Sequence, residues 1–218
     1  MHSTAEENYI KAIYKLAGSG DHAVSTNKLA ELLDTKPASV SDMLRKLHAK
    51  DLILYEKYRG VQLTDQGRLV ALKIIRKHRL WEVFLVDKLQ FSWDEVHEVA
   101  EQLEHVKSEL LTQRLDAFLG HPPVDPHGDP IPSENGEISQ REHKLLADMQ
   151  VAETGLVVGV NDTQPLLLQY LDKIGLALGS PVKVVGKILY DNSLEISINE
   201  CPPLCVSHEI AKNIYLSA

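Results

Sequence analysis

The 218-residue sequence predicts a mainly α-helical chain that closes with a small all-β domain. Three observations predict it. Through the front half, apolar residues recur at helical spacing. From Gly120 to Pro132, five prolines remove backbone donors and forbid a helix interior. Beyond about Val151 the pattern turns to short β-branched runs, Gly155 to Val160, Pro181 to Val185 and Leu194 to Ile198, punctuated by Gly, Asp-Asn and Pro-Pro. The last feature reads as a small barrel-like β domain. A hydrophobic fraction of 44% supports packed cores, and no fixed-period repeat argues for a solenoid.

Each front-half element has a local signature. Glu6 to Leu16 places Ile10, Ile13 and Tyr14 on one helical face, and Thr26 to Leu33 does the same with Leu29, Leu32 and Leu33. Pro37 suits a first helical turn, after which Val40, Met43, Leu44 and Leu47 recur at i, i+3, i+4 and i+7. Leu52 to Leu63 reads as two short strands about a tip containing Arg59 and Gly60, and Thr64 then caps a long helix reaching towards Leu89. Helix, short helix, turn, helix and two-stranded wing is the order of a winged helix-turn-helix, whose second paired helix enters the DNA major groove.

The polar residues fit that task. Small Ser39 and Ser41 let a helix approach base edges, while Lys36, beside Pro37, and Arg45 and Lys46 offer charge to phosphates. Tyr58 and Arg59 at the wing tip are placed to reach the adjacent backbone or minor groove. Any one of them is ordinarily a solvated surface residue; the whole arrangement is what points to double-stranded DNA. Asp42 is a discordant acid on this face, suited either to a cytosine amino group or to a solvated or capping role. The net charge of −8 opposes DNA binding until its distribution is read: residues 1 to 80 carry +5, 81 to 120 carry −6, 121 to 160 carry −5 and 161 to 218 carry −2. A basic front and an acidic middle ask for two ligands, phosphate and cations.

The cation signal lies in His97-Glu98-Val99-Ala100-Glu101-Gln102-Leu103-Glu104-His105, where His97, Glu101, Glu104 and His105 share a broad helical face. His78 and Glu82, spaced i, i+4, repeat the chemistry on the preceding helix. Two helices that each present imidazole and carboxylate can close around a divalent ion. Enzyme signatures are absent: there is no His-Glu-x-x-His, Gly-x-Ser-x-Gly, phosphate loop or Cys/His nucleophile pattern, so the chain is read as no enzyme. Cys201 and Cys205 lack a second pair and read as reduced, structural thiols. No signal peptide or apolar span is visible, so a soluble cytoplasmic protein with no membrane partner is expected.

Glu7 to Tyr14, Arg76-Lys77-His78-Arg79-Leu80-Trp81-Glu82 and His97 to His105 resemble the diphtheria toxin repressor family, above all its manganese-responsive transport regulators, and the likeness covers essentially the whole chain. The resemblance implies a winged-helix DNA-binding domain over 1–75, a helical dimerisation and metal-binding domain with a proline-rich linker over 76–150, and an SH3-like, FeoA-type barrel over 151–218. It implies a primary metal site of Asn8, His78, Glu101, Glu104 and His105. A second site is implied at Glu82, Asp125, His127 and Asp162, with His97 joining it. Iron-type members carry cysteine where this chain has Glu101, so the hard carboxylate points to Mn2+, with Fe2+ as the alternative and Zn2+, Co2+ or Ni2+ able to substitute in vitro. The chain departs from the family at Asn8, usually Asp or Met, and at Lys11, where short manganese regulators carry glutamate.

The function implied is a homodimeric repressor of metal-uptake genes that grips operator DNA when metal is bound, with no small organic substrate. The stripe Val96, Leu103, Leu110, Leu111, Leu115 and Phe118 serves either the dimer or intrachain packing. Rival readings are an iron-responsive repressor, a metal-dependent hydrolase or storage module carrying a winged helix, and a metal-blind winged-helix regulator.

Overall fold

A computed structural model describes residues 2–18, 22–56, 59–139 and 142–217. The chain divides into two compact units: Met1–His78 with Glu101–Thr112 and Pro132–Ile138, and Arg79–Ala100 with Gln113–Ile131 and Ser139–Ala218.

In the first unit, α1 (Thr4–Leu16) opens on a capping box. The Glu6 amide donates to Ser3 Oγ at 3.3 Å, and the Ser3 amide donates to the Glu6 carboxylate at 3.0 Å, which satisfies donors the first turn leaves free. Its Ile10 and Ile13 are fully buried, as their spacing predicts. The Ser25 hydroxyl caps α2 (Thr26–Leu32), which buries Leu29 but leaves Leu32 exposed at the helix end. Pro37 begins α3 (Pro37–His48), whose Val40, Leu44 and Leu47 are fully buried and whose last turn carries Arg45, Lys46 and His48.

The wing is the antiparallel pair β1 (Ile53–Glu56) and β2 (Gly60–Leu63), in register from Ile53↔Leu63 to Glu56↔Gly60. Val24 adds a bridge: its amide donates to the Val61 carbonyl at 2.8 Å and its carbonyl accepts from the Val61 amide at 2.9 Å. Gly60 makes that approach possible, because at φ +99° a Cβ there would stand 2.8 Å from the Val24 carbonyl oxygen. Thr64 caps the following helix as expected: its Oγ1 accepts from the Gly67 amide at 3.1 Å and donates to the Asp51 carbonyl at 2.7 Å. Helices α4 (Asp65–Leu89), α5 (Val96–Leu103) and α6 (Glu109–Phe118) each contribute residues to both units.

The second unit holds a six-stranded antiparallel sheet made of β3 (His143–Leu145), β4 (Thr154–Val160), β5 (Pro181–Lys187), β6 (Leu194–Ile198), β7 (Leu204–Val206) and β8 (Ile214–Ser217), with α7 (Pro165–Lys173) and α8 (His208–Ala211) as connections. The strand order is β3-β8-β4-β5-β6-β7. Val157, Val182, Val184, Ile196, Leu216 and, from α7, Leu168 and Leu171 form its core. The three β-branched runs become β4, β5 and β6, but the expected closed barrel does not form among the described residues. Both edge strands are three residues long, and Pro202 and Pro203 remove donors just before β7, so neither edge offers a ladder long enough to close on the other. No described helix is long and apolar enough to cross a membrane.

Candidate metal centre and nucleic-acid interface

Helix α3 presents the predicted DNA-facing residues. Lys36, Pro37, Ser39, Asp42, Arg45 and Lys46 are exposed and Ser41 is half-buried. The Ser41 hydroxyl donates back to the Pro37 carbonyl at 3.0 Å, and Asp42 pairs with Arg45 one turn later. Asp42 therefore orients a cation on this face. Arg59 is exposed beside the wing and pairs with Glu56 at 3.0 Å, while Tyr58 lies outside the described residues.

The first unit brings His78, Glu101, Glu104 and His105 together around α1. Glu104 is fully buried: its Oε2 lies 2.7 Å from His78 Nδ1 and accepts from Lys11 Nζ at 2.5 Å. Lys11 Nζ also donates to Glu101 Oε1 at 2.7 Å and stands 3.4 Å from His78 Nδ1. His105 Nδ1 lies 2.6 Å from Glu7 Oε2, so in the neutral ring the proton sits at Nδ1 and Nε2 carries a lone pair. That nitrogen lies 3.7 Å from Glu104 Oε1.

Among the described residues, three buried side-chain atoms have no hydrogen-bond partner: His2 Nδ1 and, at this site, Glu104 Oε1 and Asn8 Oδ1. Buried acceptors are almost always satisfied, and two neighbouring acceptors are unfavourable without positive charge between them. The donor set of this unit therefore fits a divalent cation held by oxygen and imidazole. Lys77, from the same helix as His78, is pulled down by burial and held up by Glu7 and Glu104.

The second unit assembles another set. Glu82, Asp125 and His127 are buried, and each offers a ligand atom within 4.8 Å of the others. His127 Nε2 donates to the Trp93 carbonyl at 2.8 Å, which leaves Nδ1 as the lone-pair nitrogen, 3.9 Å from Glu82 Oε2 and 4.0 Å from Asp125 Oδ1. An imidazole whose outer N–H is tied to a carbonyl is the usual arrangement of a metal-bound histidine. Exposed His97 puts Nδ1 3.5 Å from Glu82 Oε1. Asp125 is held by the turn itself, its Oδ1 accepting from the His127 amide at 2.8 Å and the Asp129 amide at 3.0 Å. Burial, and then the Asp129 and Glu82 carboxylates, push Asp125 well above the usual carboxylate range, against the opposing pull of Arg79. Asp162 sits before α7, its Oδ1 accepting from the Gln164 amide at 3.0 Å.

Sequence reasoning missed two groups here. Glu7 orients His105, and its only local signal is that it neighbours Asn8 and precedes Lys11 by one helical turn. Trp93 acts through a backbone carbonyl, for which sequence holds no signal, and its ring stacks on His127 with centroids 6.1 Å apart and an 11° interplanar angle. Cys201 and Cys205 are free and exposed.

Comparison with known proteins bears on both sites. A family model described as iron dependent repressor, N-terminal DNA binding domain, matches residues 1–61. A second, iron dependent repressor, metal binding and dimerisation domain, matches residues 64–133, and a FeoA domain model matches 144–218. The iron-dependent repressor IdeR of Mycobacterium bovis is 37% identical over 126 residues, 58% of this chain and 54% of that one, so the chain spans about half the length of this curated relative. Two solved structures are similar along nearly the whole chain. One is a manganese-dependent transcriptional repressor in complex with manganese (TM-score 0.85, 34% identity, covering 98% of this chain and 99% of that one). The other is the manganese regulator SloR (TM-score 0.73, 33% identity, covering 97% of each). The two N-terminal models describe repressor domains rather than enzymes, which sets aside the hydrolase reading.

Proposed function

This chain belongs to the family of the iron-dependent and diphtheria toxin repressors, and we propose that it is a manganese-responsive, homodimeric repressor that binds operator DNA of metal-uptake genes in the cytoplasm. In this reading residues 1–75 read DNA, 76–150 bind metal and dimerise, and 151–218 form the FeoA-type domain. The observation that carries it is the pair of neighbouring acceptors, His105 Nε2 and buried Glu104 Oε1, with Glu7 fixing the histidine tautomer.

Asn8, His78, Glu101, Glu104 and His105 would hold one ion, and Glu82, Asp125 and His127, with His97 at the edge and Asp162 as a further candidate, would hold another. A bound divalent cation supplies the positive charge that offsets carboxylate repulsion within each set. Because Asn8 lies on α1, His78 on α4 and Glu101 on α5, the first set links three helices of the unit that carries α3 and the wing. Holding those helices in one arrangement raises the population that can seat α3 in the groove. Exposed Leu110, Leu111 and Phe118 on α6 supply apolar surface for a second copy, which must present its α3 about 34 Å away to match successive major grooves. The oxygen-rich first set, with no thiolate, favours manganese over the softer preferences of iron-type sites.

The test uses DNA selected from a random pool by manganese-loaded protein, titrated at fixed salt with Mn2+, with anaerobic Fe2+ and with Zn2+. Tight binding that requires metal and is reached at the lowest free concentration relevant to manganese supports the reading. Equal grip on the same DNA in excess chelator overturns it. Activation by Fe2+ at far lower concentration than Mn2+ would transfer the same mechanism to iron.

A further inference from the structure

We propose that Lys11 is a built-in counter-cation of the first site: its ammonium and a divalent ion are alternative occupants of one carboxylate set, and Lys11 sets the metal concentration at which the site fills. This rests on the metal reading above and goes beyond it. Lys11 reaches from α1 to Glu101 Oε1 at 2.7 Å, Glu104 Oε2 at 2.5 Å and His78 Nδ1 at 3.4 Å, which are three of the five proposed ligands. Its side chain is 18% exposed and Glu104 is fully enclosed, so the ion pair is shielded from water on one side and open to it on the other. An ammonium at these distances occupies Glu104 Oε2 and Glu101 Oε1, while Glu104 Oε1 stays without a hydrogen-bond partner. A divalent ion needs carboxylate oxygens at about 2.0–2.2 Å, and an ammonium held on those same oxygens opposes it by charge repulsion at close range. The stem of a lysine has rotatable bonds enough to swing its head towards solvent, so displacement is sterically feasible.

Three consequences separate this from a merely structural ion pair. Removing the charge must tighten metal binding, because the competitor is gone. The same change must destabilise the metal-free protein, since Glu101 and Glu104 lose their counter-charge, while leaving the metal-loaded protein unaffected. Keeping a positive charge must preserve the competition.

The experiment measures Mn2+ affinity by competition with a chromophoric chelator at fixed pH and salt, alongside thermal melts with and without Mn2+. Lys11→Met is expected to bind Mn2+ at least tenfold more tightly than wild type and to melt lower only without metal. Unchanged or weaker binding by Lys11→Met overturns the proposal. Lys11→Arg keeps the charge and is expected to bind no more tightly than wild type; a tenfold gain there also overturns it. Glu104→Gln reports on the site itself: weakened binding there together with unchanged affinity in Lys11→Met sinks the Lys11 proposal alone. Full affinity in Glu104→Gln sinks the site assignment.

Discussion

Gly128→Ala tests how the second set of candidate ligands is held. Gly128 closes the Asp125-to-Gly128 turn, its amide donating to the Asp125 carbonyl at 3.1 Å while the Val160 amide of β4 donates to the His127 carbonyl at 2.9 Å. Its φ is +90°, and a Cβ there would stand 2.1 Å from the Val158 carbonyl oxygen and 2.4 Å from Gly159 Cα. Both obstacles are backbone of β4, which cannot rotate aside. Relief therefore requires the turn to lift by roughly 1 Å in a close-packed region. The left-handed conformation costs a non-glycine residue about 1–2 kcal/mol and the overpacking about 1–3 kcal/mol, so a loss of about 2–5 kcal/mol is expected. Ligand distances tolerate only about 0.2 Å, so Asp125 and His127 would no longer converge with Glu82. Urea melts read the first effect, and equilibrium dialysis with Mn2+ reads the second, in which one class of sites empties while the other still fills. Unchanged metal stoichiometry together with a stability loss below about 0.5 kcal/mol would refute the reasoning, since surface changes of no consequence fall in that range.

Three further outcomes follow from the same geometry. Lys46→Ala removes an exposed positive charge from α3; if that face meets DNA as proposed, affinity should fall and the slope of log K against log salt should shrink by about 1, and an unaltered slope would place Lys46 off the DNA. The hydrogen bond from Lys50 Nζ, at 2.6 Å, is the main cause that holds the Glu6 carboxyl below its usual range. A depressed folded value stabilises the protein above the usual carboxylate range, and the contribution is lost as pH falls through the folded value. With Lys50 about half exposed it is worth at most about 1 kcal/mol; Glu6→Gln should lower stability at neutral pH and flatten the acid limb of a pH–stability curve, and an identical limb would refute the assignment. Because Trp93 stacks on His127, Mn2+ entering the second set should change tryptophan emission. Trp93→Phe should abolish that change, and a signal that persists would have to come from Trp81.

The sequence by itself determined the elements whose cause is local. Pro37 starts α3, the spacing of Val40, Leu44 and Leu47 buries one face, Thr64 caps α4, and Leu194 to Ile198 is strand β6 residue for residue. Each depends on interactions within one helical turn or one pleat, which composition and spacing encode directly. The likeness to a known family also pointed to candidate ligands, of which the structure brings together Glu101, Glu104, His105 and His78 in one group and Glu82, Asp125 and His127 in another. Only the tertiary structure decided what those groups face. Lys11 meets Glu104 across 93 positions and Glu7 meets His105 across 98, pairings that no period predicts because they arise from how α1 packs. The tautomer of His127 is set by a backbone carbonyl at Trp93, and among the described residues the sheet stays open, with three-residue strands at both edges. Periodicity is a property of neighbours along the chain, whereas charge pairing, proton position and closure are properties of neighbours in space.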